Sequence, residues 1–133
     1  MSADLQSAAG SRYRVLVVED DLLVSRFLEA LLLDRGYQVS QARNGVEALV
    51  ALTAPASELP HAVILDLGLP LESGMSVLSF LRSVVRGGLP VIILTGRQDP
   101  EEEKAVRSLG VAAFLRKPAN PEQVLGALAA ALP

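Results

Sequence analysis

The chain has 133 residues, is half hydrophobic and carries a formal net charge of −3. That length fits one domain with a sizeable core, and the mild, scattered charge is not the footprint of a nucleic-acid binder. With no Cys and one His, disulfides and thiolate metal sites are excluded and zinc is disfavoured; no apolar run approaches the roughly 20 residues that span a bilayer.

Residues 1–12 read as a flexible tail, because Met1 to Ser11 is small and polar and lacks the basic-then-apolar pattern of a secretory signal. Tyr13 to Val18 is the first strand, and its last four residues are apolar and largely β-branched, as in a central strand. It runs into Glu19-Asp20-Asp21. Asp21 suits the N-cap of the next helix, which leaves Glu19 and Asp20 without a capping role. Leu22 to Asp34 reads as that helix, with Leu23, Phe27, Ala30, Leu31 and Leu33 at helical spacing and Gly36 as its stop. Tyr37 to Gln41 alternates like a less buried edge strand. Asn44-Gly45 turns the chain into a helix over 46–54, with Val46, Leu49, Val50 and Thr53 on one face, and a loop with two prolines, Pro55 to Pro60, follows.

Ala62 to Leu65 is a continuous apolar run, as in a strand buried on both faces, and it ends in Asp66. Gly68 and Pro70 turn the chain into a helix over 73–85, capped by Ser73 or Glu72, with Met75, Leu78, Leu81 and Val85 inward and Gly87-Gly88 at its end. Pro90 to Leu94 is another buried strand, ending at Thr95-Gly96. Asp99-Pro100-Glu101-Glu102-Glu103 is a helix start with an N-cap, a proline at the first helical position and acids against the positive dipole end. That helix reaches Leu109 and stops at Gly110; Val111 to Leu115 is the fifth strand, before Arg116-Lys117-Pro118; Asn120-Pro121-Glu122 opens a last helix to Leu132. Five alternations predict a single doubly wound α/β domain, a parallel sheet with helices on both faces and right-handed crossovers.

In such a sheet the carboxyl ends of the strands share one rim, where ligands collect. Glu19, Asp20, Asp66, Thr95 and Lys117 all fall there. Three gathered carboxylates repel, and a divalent cation relieves that; magnesium suits oxygen-only ligands. Lys117 supplies a compact positive charge and Thr95 a hydroxyl donor. These groups can hold a phosphoryl group, with Asp66 as the nucleophile of aspartyl-phosphate chemistry and the cations neutralising charge.

Glu19-Asp20, the segment Asp66-Leu-Gly-Leu-Pro-Leu-Glu-Ser-Gly74, Thr95-Gly96 and Lys117-Pro118 together resemble the signature of response-regulator receiver domains, in order and in spacing, over about Tyr13 to Leu132. The resemblance implies the flavodoxin-like strand order 2-1-3-4-5 for a receiver domain over 13–132 with no output domain following. It implies that Asp66 is the phosphoacceptor, that Asp20 binds Mg2+ directly and Glu19 through water, and that the Gly68 carbonyl is a further ligand. Thr95 and Lys117 would bind phosphate oxygens. Phe114 falls where the family places its switch aromatic, although a plain core residue is the other reading. Lys117-Pro118 resembles a bond that is usually cis in this family.

The implied function is a cytoplasmic phosphorylation-controlled signalling switch, not an enzyme beyond its own phosphorylation and dephosphorylation. It would take its phosphoryl group from a histidine kinase or phosphotransfer protein. It would signal to a downstream protein through helix four, strand five and helix five, as a monomer or a phosphorylation-dependent dimer, without contacting nucleic acid or membrane. Gly68 and Arg97 occupy positions that usually tune phosphoryl lifetime, and Ala112-Ala113 replaces acids that a DNA-binding subfamily uses in its dimer. A degenerate receiver acting as a binding module is the alternative, although all five site residues are present. An aspartate-nucleophile phosphatase would want a second acid at the position of Gly68. A flavin or nucleotide binder would want a Gly- or Ser-rich loop where Glu19-Asp20-Asp21 stands.

Overall fold

The structure, a computed structural model, describes residues 13–85 and 88–133. The expected tail over 1–12 and the helix end at Gly87 lie outside them, as does the Val85 side chain. Five parallel strands, β1 (Arg14–Val18), β2 (Gln38–Ala42), β3 (Ala62–Leu65), β4 (Val91–Thr95) and β5 (Ala113–Arg116), lie in the order β2-β1-β3-β4-β5. Between and after them run α1 (Leu22–Asp34), α2 (Gly45–Leu52), α3 (Gly74–Phe80), α4 (Pro100–Leu109) and α5 (Pro121–Ala131). A short 3-10 turn, Ala56–Glu58, sits in the proline loop, and α3 runs on into a π turn, Leu81–Val85. This is the flavodoxin-like doubly wound fold.

Strand alternation builds two core layers. Leu16, Val18, Val63, Leu65, Val91 and Ile93 pack on one face with Ala48, Leu78 and Val106, from α2, α3 and α4. Val15, Val17, Ile64, Ile92 and Leu94 pack on the other with Leu28, Leu32, Val124 and Leu128, from α1 and α5. Strands β1, β3 and β4 read clearly because both faces are covered. Each helix start is capped as its sequence requires. Asp21 accepts from the Leu23 and Val24 amides, Asn44 from Glu47, Ser73 from Ser76, Asp99 from Glu101 and Glu102, and Asn120 from Gln123. Gly36 and Gly110 end α1 and α4 with φ of 86° and 90°, which glycine adopts without a Cβ clash.

Two helix faces differ from expectation. In α1 the buried stripe is Ser25, Leu28 and Leu32, while Leu23 is 79% exposed and Phe27 and Leu33 also face outward. The helix is apolar nearly all round, so spacing alone admits several stripes. In α2 the buried residues are Gly45, Ala48 and Leu52, and Val46 and Val50 are exposed. Small residues face inward there because the helix passes very close to the loop after β3: a Cβ on Gly45 would overlap the Glu72 carbonyl. Strand β5 starts two residues later than expected and is only partly buried, as suits an edge strand.

Leu71, in the loop after β3, has φ 65° and is 75% exposed. A left-handed conformation costs a non-glycine residue roughly 1–2 kcal/mol. Leu71→Gly should therefore raise stability by about 0.5–1 kcal/mol, part of the relief being offset by glycine's freer unfolded chain. Leu71→Val should lower it, since β-branching worsens the clash. Denaturant midpoints at unchanged slope check both signs.

Candidate phosphoacceptor site

Parallel register brings the strand ends together. Val18 pairs with Leu65, Leu65 with Ile93, and Thr95 with Arg116, so the residues that follow share one rim. The Asp66 amide donates to the Val18 carbonyl at 3.0 Å, which fixes Asp66 beside Glu19. Asp66 is 6% exposed and Glu19 3%. Asp66 Oδ1 accepts from the Gly68 amide at 3.0 Å, and Oδ2 accepts from Lys117 Nζ at 3.2 Å. Lys117 Nζ also lies 2.8 Å from Glu19 Oε1, while Glu19 Oε2 accepts from the Asp21 amide at 3.0 Å. Asp20 is exposed, yet one oxygen each from Glu19, Asp20 and Asp66 lie within 4.8 Å of one another.

Burial pushes the Glu19 carboxyl up from its ordinary value; the hydrogen bond from Lys117 works the other way and the charge of Asp66 adds to the rise. For Lys117, burial works against the charge, but the hydrogen bond to Glu19 and the negative charges of Asp66 and Glu19 outweigh it and hold the ammonium above its ordinary value. Lys117 is therefore charged at neutral pH. One ammonium among three carboxylates leaves surplus negative charge. An oxygen-only donor set with that surplus fits a hard divalent cation, and Glu19, Asp20 and Asp66 could hold one.

Thr95 is fully buried. Its Oγ1 accepts from the Arg97 amide at 3.1 Å, and its carbonyl accepts from the Lys117 amide at 2.9 Å. Among the described residues its hydroxyl makes no hydrogen bond to Asp66. Gly68 leaves room beside Asp66, where a Cβ would meet the Arg97 stem at 3.5 Å. The Lys117-Pro118 bond is cis. Phe114 is half-buried against the α2–α4 core layer. A pocket of about 30 Å³ lies at the acids, between Glu19, Asp20, Leu22, Ser25 and Arg43, and a more open one of about 280 Å³ lies beside Lys117, against Leu23, Phe27 and Pro118. A cavity of about 430 Å³ lies at the opposite end of the sheet, between Arg14, Leu59, His61 and Leu89. A shallow rim does not engulf a small substrate, but it can meet a phosphoryl group presented by another molecule.

Gly74, the last residue of the signature segment, and Gly45, expected only as a turn residue, hold the Asp66 loop down. The Gly74 amide donates to the Leu67 carbonyl at 3.2 Å, and a Cβ there would stand 2.6 Å from Leu67 Cα. Gly45, from α2, donates to the Pro70 carbonyl at 3.4 Å. Also unforeseen are Arg107 and Arg116, whose guanidiniums each lie 5.4 Å from the centre of the Phe114 ring. The Arg107–Phe114 contact joins α4 to β5 and no spacing pattern marks it, whereas Arg116 and Phe114 stand two apart on one face of β5.

The sequence profile described as response regulator receiver domain matches residues 15–129. The transcriptional regulatory protein PhoP of Escherichia coli O157:H7 is 37% identical over 117 residues, 88% of this chain and 51% of that protein. The virulence transcriptional regulatory protein PhoP of Salmonella typhi is 38% identical over 117 residues, 88% of this chain and 50% of that protein. The chain thus spans about half the length of these curated relatives. Among solved structures, the chemotaxis response regulator CheY4 of Vibrio cholerae is 30% identical, with a TM-score of 0.77 over 90% of this chain and 98% of that one. A CheY-like receiver domain protein from Methanospirillum hungatei JF-1 is 26% identical, with a TM-score of 0.81 over 89% and 91%. No described helix is long and apolar enough to cross a membrane. With the matched profile spanning both core layers and every strand end of the acidic rim, the chain belongs to the response regulator receiver domain family, the phosphorylation-controlled signalling domain of two-component systems.

Proposed function

We propose that Asp66 accepts a phosphoryl group from a histidine kinase or phosphotransfer protein, or from a small acyl phosphate, and that Mg2+ is required. The observation that carries this reading is Asp66 Oδ2 held 3.2 Å from Lys117 Nζ on a rim where three carboxylates gather within 4.8 Å. An Asp66 carboxylate oxygen attacks phosphorus, the donor's P–N or P–O bond breaks, and the leaving group takes the electron pair. Lys117 neutralises charge on the transferring group, and Thr95 Oγ1 donates to one of its oxygens. Glu19, Asp20, Asp66 and the Gly68 carbonyl would hold the metal, which when bound supplies further charge neutralisation. The domain in this reading, residues 13–132, catalyses only its own phosphorylation and dephosphorylation in the cytoplasm. Its output passes to a protein target through α4, β5 and α5, from a monomer or a phosphorylation-dependent dimer. Gly68 and Arg97, side by side next to Asp66, set the lifetime of the acyl phosphate.

The test is incubation with acetyl phosphate followed by intact mass spectrometry. One phosphoryl adduct should form with magnesium and none with chelator; an active donor that leaves the wild type unmodified in magnesium would overturn the reading. Metal binding has its own check. Magnesium titration should shift amide NMR signals around Asp20 and Asp66, and Asp20→Ala should remove those shifts; shifts that persist in the variant contradict the assignment.

The switch reading concerns Thr95 and Phe114. With a phosphoryl group on Asp66, Thr95 should turn from the Arg97 amide toward it, and Phe114 should move inward into the space vacated. A structure with fluoroberyllate in which both side chains stay as they are here would contradict this.

A further inference from the structure

Phe114 is held by more than the core behind it. Arg107 and Arg116 both stand over its ring. Glu103 ties the two together: Oε2 accepts from Arg107 Nε at 2.9 Å, and Oε1 accepts from Arg116 Nη2 at 2.8 Å. Arg116 Nη1 also donates to the Arg97 carbonyl at 2.6 Å. The Arg97 amide in turn donates to Thr95 Oγ1, and the Arg97 side chain lies 3.3 Å from Glu102 on α4. A continuous run of contacts therefore joins the buried Thr95 hydroxyl to the Phe114 ring, through one loop residue and one side chain.

Each exposed link is weak alone. Their arrangement makes them act together. Glu103 serves both arginines, and Arg116 serves a carboxylate, a carbonyl and a ring at once. Its planar fork allows this where lysine's single ammonium would not. Shifting the Arg97 carbonyl would remove one anchor of Arg116 and loosen the rest.

We propose that the Glu103–Arg107–Arg116 cluster is a latch that holds Phe114 in its unphosphorylated position and is released through Thr95. The inference rests on the reading of Asp66 and Thr95 given above. When Thr95 Oγ1 turns toward a phosphoryl oxygen it leaves the Arg97 amide, the loop carrying Arg97 shifts, and Arg116 loses its carbonyl. The guanidiniums then come off the ring, and Phe114 is free to move inward. A latch that favours the resting position must oppose binding of a phosphoryl group by the same factor, because the coupling is reciprocal. Weakening the latch should therefore tighten binding at Asp66, at least 37 positions away in sequence and just past the end of another strand.

The experiment titrates the full chain with fluoroberyllate in magnesium, by calorimetry. Arg116→Ala and Glu103→Gln should each bind about fivefold tighter than wild type, the low end of ordinary allosteric coupling. With Phe114→Leu, which keeps bulk but removes the aromatic face, adding Arg116→Ala should change affinity no further. A variant that only loosened the fold would bind more weakly, so tighter binding is not a sign of damage. Affinities equal to or weaker than wild type in both variants, or an unchanged Arg116→Ala effect without the aromatic ring, overturn the latch and leave the Asp66 reading standing. Failure of the wild type to bind fluoroberyllate overturns both.

Discussion

Asp66→Asn should take up no phosphoryl group from acetyl phosphate or from a phosphorylated donor protein, and it should still fold. The amide keeps the carboxylate's shape, and its oxygen can accept the Gly68 amide bond that Asp66 Oδ1 accepts at 3.0 Å. It lacks the anionic oxygen that attacks phosphorus. The fold tolerates the change because Lys117 keeps its shorter contact to Glu19, at 2.8 Å, and because a carboxylate beside buried Glu19 is removed. Labelling should fall to background while thermal unfolding stays cooperative. Lys117→Ala should be less complete: it leaves the nucleophile in place but strips the cation from two buried carboxylates, so labelling is impaired and stability falls. Intact mass and a melting curve on each variant check these expectations, and a phosphoryl adduct surviving in Asp66→Asn would sink the assignment.

Gly45→Ala should be the most damaging single-methyl change near the site. Its Cβ would overlap the Glu72 carbonyl oxygen and stand 2.5 Å from Glu72 C and Cβ. Two of these are backbone atoms, which cannot rotate away, so the loop from Asp66 to Ser73 or the start of α2 must move. Overpacking a close contact costs about 1–3 kcal/mol, and displaced backbone puts this case at the upper end or beyond. The same displacement should slow labelling of Asp66, which begins that loop. Gly126→Ala, in α5, provides the matched control. Nothing lies within 4 Å of its added methyl, and alanine in an exposed helix should gain about 0.5–1 kcal/mol. Denaturant unfolding of the two variants should therefore move in opposite directions; equal shifts would mean that the close approach of α2 to the Asp66 loop is misjudged.

The parts of this molecule that sequence makes legible share a physical cause. Strands β1, β3 and β4 are covered on both faces, so each is an unbroken apolar run, and the chemistry-bearing residues Glu19, Asp66 and Thr95 stand at its end or directly after it. The caps at Asp21, Asn44, Ser73, Asp99 and Asn120 are equally local, since the side chain and the amide it serves lie within three residues. What could not be read depends on partners distant in sequence. The stripe buried by α1 is chosen by the sheet it meets, because leucines lie around most of the helix. Gly45 looked like a turn residue beside Asn44, and only the nearness of Glu72, 27 positions later, gives its missing Cβ a purpose. Lys117 falls at a strand end in the sequence, but its contact with both Glu19 and Asp66 is a matter of three strands meeting. Glu103 and Arg107 stand four apart on α4, but their meeting with Arg116 at the Phe114 ring is a matter of α4 and β5 coming together.

The proposed phosphoacceptor is a single residue, Asp66. An acyl phosphate on aspartate is reduced by borohydride to the corresponding alcohol, leaving homoserine at the position that carried it. The wild-type chain, phosphorylated by acetyl phosphate in magnesium, trapped in this way and digested, should show homoserine at position 66 and aspartate retained at 20, 21 and 99. Homoserine at any of those other positions, or none at 66 in a sample whose intact mass shows the phosphoryl adduct, would contradict that assignment.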